Sequence, residues 1–235
     1  METLSRKQRE WQERTDLILN HADRLLAQGG YHGLNLDELA EAIEYSKATI
    51  YNHFQNKEDI LLAVAVSHYH RRADYFALAA DYSGLSRECM CAVGVADEVL
   101  AEELPHGFEV MQLAGAHSIW DKASEEQRNG FHEASARCME SMSVIMQLAH
   151  DQGHFAESSP DELNILLGLI SISKGSHLLG GGLPLFEGME GADLIGIRYD
   201  NYDRFLDGVG WTPLSSEYDY KESRKTIRKK LFGGK

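Results

Sequence analysis

The stretch that most limits what this chain can fold into is residues 30–57, which reads as two short helices joined by a tight turn. Leu36, Leu39, Ala40 and Ile43 recur at i, i+3, i+4 and i+7, one face of a helix about two turns long. Asn35 precedes that face and Glu38 follows it by three residues, an arrangement that predicts a capping box. A second helix should open at Ser46, another good cap, with Ile50 and Phe54 one turn apart and facing inward. Ala40 is small enough to let the two helices cross closely.

The outward face of the second helix then carries Lys47, Ala48, Thr49, Tyr51, Asn52 and His53. In a helix-turn-helix the N-terminal part of this helix meets base edges while flanking groups hold phosphates. A lysine at 47 can reach guanine O6 or N7, and Ala48 can pack on a thymine methyl. Tyr51, His53 and Lys57 are long enough to reach the backbone on either side. Residues 56–59, Asn-Lys-Glu-Asp, read as the next helix start, where the Lys57 amide and ammonium can both face a phosphate. The competing reading is a plain helical hairpin inside a larger bundle, with Tyr51 and His53 half-buried and Lys47 solvated.

The run from Ser46 to Leu61, with Tyr51, His53-Phe54 and Lys57 at these spacings, resembles the N-terminal signature of the TetR family of one-component regulators. The resemblance covers roughly residues 10–66. It implies a homodimer with an all-helical C-terminal ligand-binding domain that represses transcription until an effector binds. Carried onto this chain, it makes Ser46 through Phe54 the recognition helix. Lys47, Ala48, Thr49 and Asn52 would face bases, Tyr51, His53 and Lys57 phosphates, and Asn35 would take a capping place that is often threonine. Two positions depart from the pattern. Glu44 stands where the turn usually has glycine, and a non-glycine residue in a left-handed turn costs about 1 kcal/mol. Asp37 stands where a basic or neutral residue would lie more easily against DNA.

A net charge of -14 would oppose nucleic-acid binding if it were spread evenly. It is concentrated instead: residues 73–220 carry 25 Asp and Glu against 7 Lys and Arg, while residues 1–72 carry 11 against 9. The acidic excess should therefore face away from DNA. The three cysteines make no framework, since Cys89 and Cys91 point about 200° apart on a helix and Cys138 is remote, so buried thiols are expected. Four prolines and no apolar-polar alternation point to an all-helical protein. The longest unbroken apolar stretch, residues 60–66, is too short to span a bilayer, and the basic N-terminus has no apolar run behind it. A cytoplasmic protein without membrane association is expected.

Three regions follow from this pass: a helix-turn-helix domain over 1–66, a helical ligand-binding and dimerisation domain over 67–215, and a basic tail over 216–235. A first helix is expected over about 8–28, ending at Gly29-Gly30, with a basic start that either touches DNA or frays. Later helices are expected at about 58–80, 84–103, 106–118, 124–152, 160–179 and 192–207, with Ser159 capping one of them. The last two of these should pair with their counterparts in a dimer, as the resemblance implies. Phe108, Met111, His117, Trp120, Met142 and His177 are the expected lining of an apolar ligand pocket, although such a stripe equally describes plain core. Trp211 should anchor a packed corner. The tail should be a solvated end, with added phosphate contacts or docking on the acidic region as alternatives. No cofactor, metal site or catalytic motif is expected; His150 and His154, at i and i+4, lack a third ligand in the sequence. The function expected is a repressor on palindromic operator DNA, released by a small, largely apolar effector. The alternative is a regulator without a ligand, or an activator.

Overall fold

The computed structural model describes residues 5–155, 160–180 and 191–233. In chain order the helices are α1 (Arg6–Gly33), α2 (Leu36–Ala42), α3 (Lys47–His53), α4 (Lys57–Ala80), α5 (Ser86–Glu103) and α6 (Gly107–Ala114). After them come α7 (His117–Trp120), α8 (Glu125–Asp151), α9 (Glu162–Gly180), α10 (Leu194–Gly208) and α11 (Tyr220–Phe232). No strand occurs among the described residues, so the all-α class is as expected. The chain divides into two compact units, Met1–Tyr69 with His106–Ala134, and His70–Pro105 with Ser135–Lys235. Residues of α4 and of α8 fall in both units.

In the first unit, Ile18, Ala22 and Leu26 of α1 form one core with Leu39, Ala40 and Ile43, with Ile50 and Phe54, and with the apolar run Ile60–Ala65. Val110, Ala114 and Ile119 close that core from α6 and α7. Helix α1 begins earlier than its apolar pattern indicates, because Ser5 and Gln8 form a reciprocal capping box. Its regular part ends at Gly29-Gly30 as expected, where Gly30 takes a φ of +56° that side chains rarely adopt. The expected single helix over 106–118 is instead two, separated by Gly115 and Ala116. Asp59 organises the start of α4: it accepts from the Gln55 amide at 3.1 Å and from the Ser124 amide at 2.7 Å.

The second unit is built on α5, which is buried along nearly its whole length. Helix α11 packs on α5, and α10 on α9. The tail is therefore not a solvated end. Tyr220, Ser223, Ile227 and Phe232 form a buried face, while Arg224 grips Asp203 with two 3.0 Å bonds and Arg228 binds Glu98 at 2.8 Å. Two of the tail's basic side chains, Arg224 and Arg228, thus pair with the acidic region, which is the alternative of docking realised. Trp211 is a buried anchor as expected, its indole N–H donating to Ser86 Oγ at 3.0 Å. Beside it the buried Arg87 donates to the Trp211 and Pro213 carbonyls and pairs with Asp207 at 2.7 Å.

Helix α9 (Glu162–Gly180) is, among the described residues, the one helix long and apolar enough by length and composition to cross a bilayer. Its inner face instead carries Ile165, Leu166, Leu169 and Ser173 into the second unit, and at Gly168 a Cβ would collide with the Phe205 ring of α10. Its first turn is fixed by Asp161, which accepts from the Asn164 amide at 3.0 Å; the expected cap Ser159 lies outside the described residues. All three cysteines are buried and none forms a disulfide, and burial pushes their thiols up, to about 11 for Cys89, about 12 for Cys91 and about 11 for Cys138.

Candidate nucleic-acid interface

The turn between α2 and α3 closes through the Tyr45 amide, which donates to the Ala40 carbonyl at 3.0 Å, and the Glu44 amide, which donates to Glu41 at 3.1 Å. Closure requires a left-handed residue, and Glu44 takes it with a φ of +57°. At the start of α2, Asn35 Oδ1 accepts from the Asp37 amide at 2.9 Å. The expected return contact from Glu38 to the Asn35 amide is not made, because that amide donates to the Gly33 carbonyl at 2.8 Å. At the start of α3, Ser46 Oγ accepts from the Thr49 amide at 3.2 Å. Ile50 and Phe54 then point into the core, so the opposite face of α3 must point out.

That face exposes Lys47, Ala48, Tyr51 and Asn52, with Thr49 half-buried and its hydroxyl 3.0 Å from Ser46 Oγ. Lys47 is not a loose cation: its ammonium lies 2.5 Å from Asp37 Oδ1, so the acidic departure from the family pattern is paired with a residue expected to read bases. Lys57 is half-buried with its ammonium over the Tyr31 ring at 4.1 Å. Tyr31 in turn donates to Glu58 at 2.8 Å, and burial together with that bond pushes its phenol up to about 12.

His53, at the end of α3, packs against α1. Its ring stacks on Trp11 at 3.7 Å, its Nδ1 is 2.8 Å from Thr15 Oγ1, and its Nε2 is buried without a partner among the described groups. Burial and the nearby Arg14 lower its pKa. Helix α1 passes close enough to the end of α3 to cover it. The same approach reveals groups that the sequence pattern does not single out. Tyr45 is exposed immediately before the cap of α3, with the Arg14 guanidinium 5.4 Å from its ring centre. An aromatic residue just ahead of Ser46 is the available signal.

The six expected pocket residues are divided between the two units. Phe108, Met111, His117 and Trp120 belong to the first unit, whereas Met142 and His177 belong to the second. His117 is almost wholly exposed at the start of α7, Met111 is core, and Trp120 packs edge-on against Phe131. Only Met142 of the six lines the cavity of the second unit, with Phe76, Met90, Cys91, Leu169, Tyr199, Tyr202 and Leu206. The cavity is small, about 30 Å³. Its polar wall is Arg72 joined to Asp97 by two 2.8 Å bonds, with Ser173 donating to Asp97 at 3.0 Å. Burial would raise Asp97, yet Arg72 beside it holds its carboxyl below the ordinary value. His177 is lowered to about 4, chiefly by burial.

A compact helical domain that projects one short helix from a capped two-helix motif defines a helix-turn-helix DNA-binding protein. Residues 18–64 match the model for bacterial regulatory proteins of the tetR family. A stretch of 45 residues is 38% identical to the HTH-type negative transcriptional regulator IcaR of the biofilm operon icaADBC from Staphylococcus epidermidis. That stretch is 19% of this chain and 24% of the relative's length, so the chain matches only part of that relative. The fold extends further. The TetR family transcriptional regulator PfmR from Thermus thermophilus superposes with a TM-score of 0.61 at 22% identity, covering 81% of this chain and 97% of PfmR. FadR from Bacillus subtilis, solved in complex with stearoyl-CoA, gives 0.63 at 17% identity over 82% of this chain and 98% of FadR. The N-terminal domain is thus a TetR-family DNA-binding domain, and the chain has the fold of that family's regulators.

Proposed function

We propose that this protein is a transcriptional regulator, a repressor, that binds palindromic operator DNA as a homodimer through the major groove and is released by a small, largely apolar effector. The observation that carries the reading is α3: one face is locked into the core by Ile50 and Phe54, and the other offers Lys47, Ala48, Tyr51 and Asn52 to solvent. Base-edge reading needs such a rigidly presented row, and two copies about 34 Å apart would read two half-sites. Dimerisation is supported by α9 and α10, which leave Leu163, Leu167, Leu178, Ile195 and Ile197 exposed. Such a stripe on paired helices fits a second copy of the same helices. Binding DNA, the protein would act in the cytoplasm, with Asn35 and Ser46 capping the motif, Thr49 beside the bases and Lys57 near a phosphate.

The effector would enter the second unit at the cavity lined by Phe76, Met90, Met142 and Leu169. The cavity must open to admit it, and that opening is the structural change available for coupling to DNA release. The stearoyl-CoA in the FadR relative makes long-chain acyl compounds the first class to screen. The small volume also favours a second reading, a regulator that takes no small molecule.

Fluorescence anisotropy on a duplex recovered by selection from random DNA tests both. Wild-type binding should be site-selective and fall steeply with salt, while Lys47→Ala and Tyr51→Ala should lose selectivity. Equal, mutation-indifferent affinity for selected and scrambled duplexes would refute the DNA-reading role. Release of the duplex by an acyl compound would favour the first reading, and release by none of a broad apolar library the second.

A further inference from the structure

The sequence offers no metal motif, yet the fold brings together three side chains from positions 23, 68 and 106. His68 Nε2 lies 3.1 Å and His106 Nε2 2.8 Å from the same atom, Asp23 Oδ1. All three ligand-type atoms fall within 4.8 Å of one another. The three belong to the first unit, with Asp23 on α1, His68 on α4, and His106 immediately before α6. We propose that Asp23, His68 and His106 form a binding site for a divalent transition-metal ion, zinc by preference, that staples α1, α4 and α6 together.

Three features argue for a site over a simple hydrogen-bonded trio. Both imidazoles aim the same nitrogen at one carboxylate oxygen, although a carboxylate has two oxygens on which to receive two donors. Atoms that share a tetrahedral zinc at ordinary bond lengths lie about 3.3 Å apart, not far from the two N–O separations here. His68 is almost fully buried, and its other nitrogen, Nδ1, has no partner among the described groups. His106 precedes α6 at the cap position but makes no side-chain cap bond; its ring is turned to Asp23 instead.

The donor set chooses the ion. Two imidazole nitrogens and one carboxylate oxygen suit zinc and its neighbours in the first transition row, and do not suit calcium or magnesium, which take oxygen donors. Asp23 and His106 keep 27% and 22% of their side-chain surface exposed, so the ion has an entry path and a place for water as fourth ligand. Because Ile18, Ala22 and Leu26 of α1 form the core on which α2 and α3 rest, an ion held by α1 would stiffen the support of the recognition helix.

The test uses the full chain stripped with chelator and dialysed. Calorimetric titration with zinc should give one ion per chain, and cobalt substitution should give the visible bands of a tetrahedral centre. His106→Ala and Asp23→Asn, both at partly exposed positions, should weaken zinc at least a hundredfold while retaining the helical spectrum. His150→Ala should bind as wild type does. His68 is too deeply buried for its replacement to be decisive. Stoichiometry well below one, affinity unchanged in both site variants, or loss of binding in His150→Ala would each overturn the assignment. None of these outcomes depends on DNA binding, so the site stands or falls apart from the regulator reading.

Discussion

Replacing Asp37 by Asn should tighten DNA binding. Lys47 and Asp37 form a 2.5 Å ion pair at the start of the DNA-facing surface, with 44% and 74% of their side-chain surfaces exposed. An exposed pair of this kind is worth about 0.2–1 kcal/mol, which Lys47 must give up before it can engage DNA. In a dimer the cost is met twice, about 0.4–2 kcal/mol, and its removal should raise affinity by about 2- to 30-fold. If each freed lysine neutralises one more phosphate, the slope of log K against log salt should steepen by about 1.8. The substitution also removes a carboxylate from the first turn of α2, which costs about 0.3–1 kcal/mol of stability through the helix dipole. Binding is therefore measured well below the melting temperature.

The assay is anisotropy on a selected duplex for wild type, Asp37→Asn, Lys47→Ala and the double variant, over a salt series. In the double variant the gain from Asp37→Asn should shrink, since there is no lysine to release. A gain of the same size with and without Lys47 would refute the argument. It would mean that Asp37 acts on DNA only by general repulsion and that the pair is incidental.

Glu44→Gly should raise stability by up to about 1 kcal/mol, because the exposed Glu44 side chain takes a φ of +57° that glycine adopts without strain. The gain is reduced by the greater freedom of glycine in the unfolded chain, and a lower denaturation midpoint would contradict the strain argument. Ile227→Ala should cost about 2–4 kcal/mol in chemical denaturation, since the side chain is fully buried in α11. A loss under about 0.5 kcal/mol would return the tail to a solvated end. His177, lowered to about 4, should make the fold less stable as pH falls from about 6.5 toward 4, because the unfolded state takes up the proton first. The full effect is on the order of 3 kcal/mol, present above pH 6.5, and His177→Gln should flatten that part of the stability-pH profile.

What can be read from the sequence is what depends on near neighbours. The inward pair Ile50 and Phe54, the Ser46 cap and the Lys57 helix start are all set within one or two turns, where periodicity and cap chemistry act. The pairings that organise the rest join residues far apart in the chain: Arg87 to the Trp211 carbonyl, Arg72 to Asp97, and Asp23 to His106. One sequence carries no sign of those partners. His53 shows the same limit at smaller scale, since its place on α3 is legible while the Trp11 ring that covers it comes from α1. The tail misleads for another reason, namely that its charge outweighs the helical spacing of Tyr220, Ser223, Ile227 and Phe232. Correcting it alters the electrostatic argument for function. Arg224 and Arg228 are occupied by Asp203 and Glu98 within the second unit, so those two are not free to hold phosphates. With residues 1–72 near neutral, DNA affinity cannot come from bulk positive charge. It must rest on a few placed cations around α3, and one of them, Lys47, is held by Asp37.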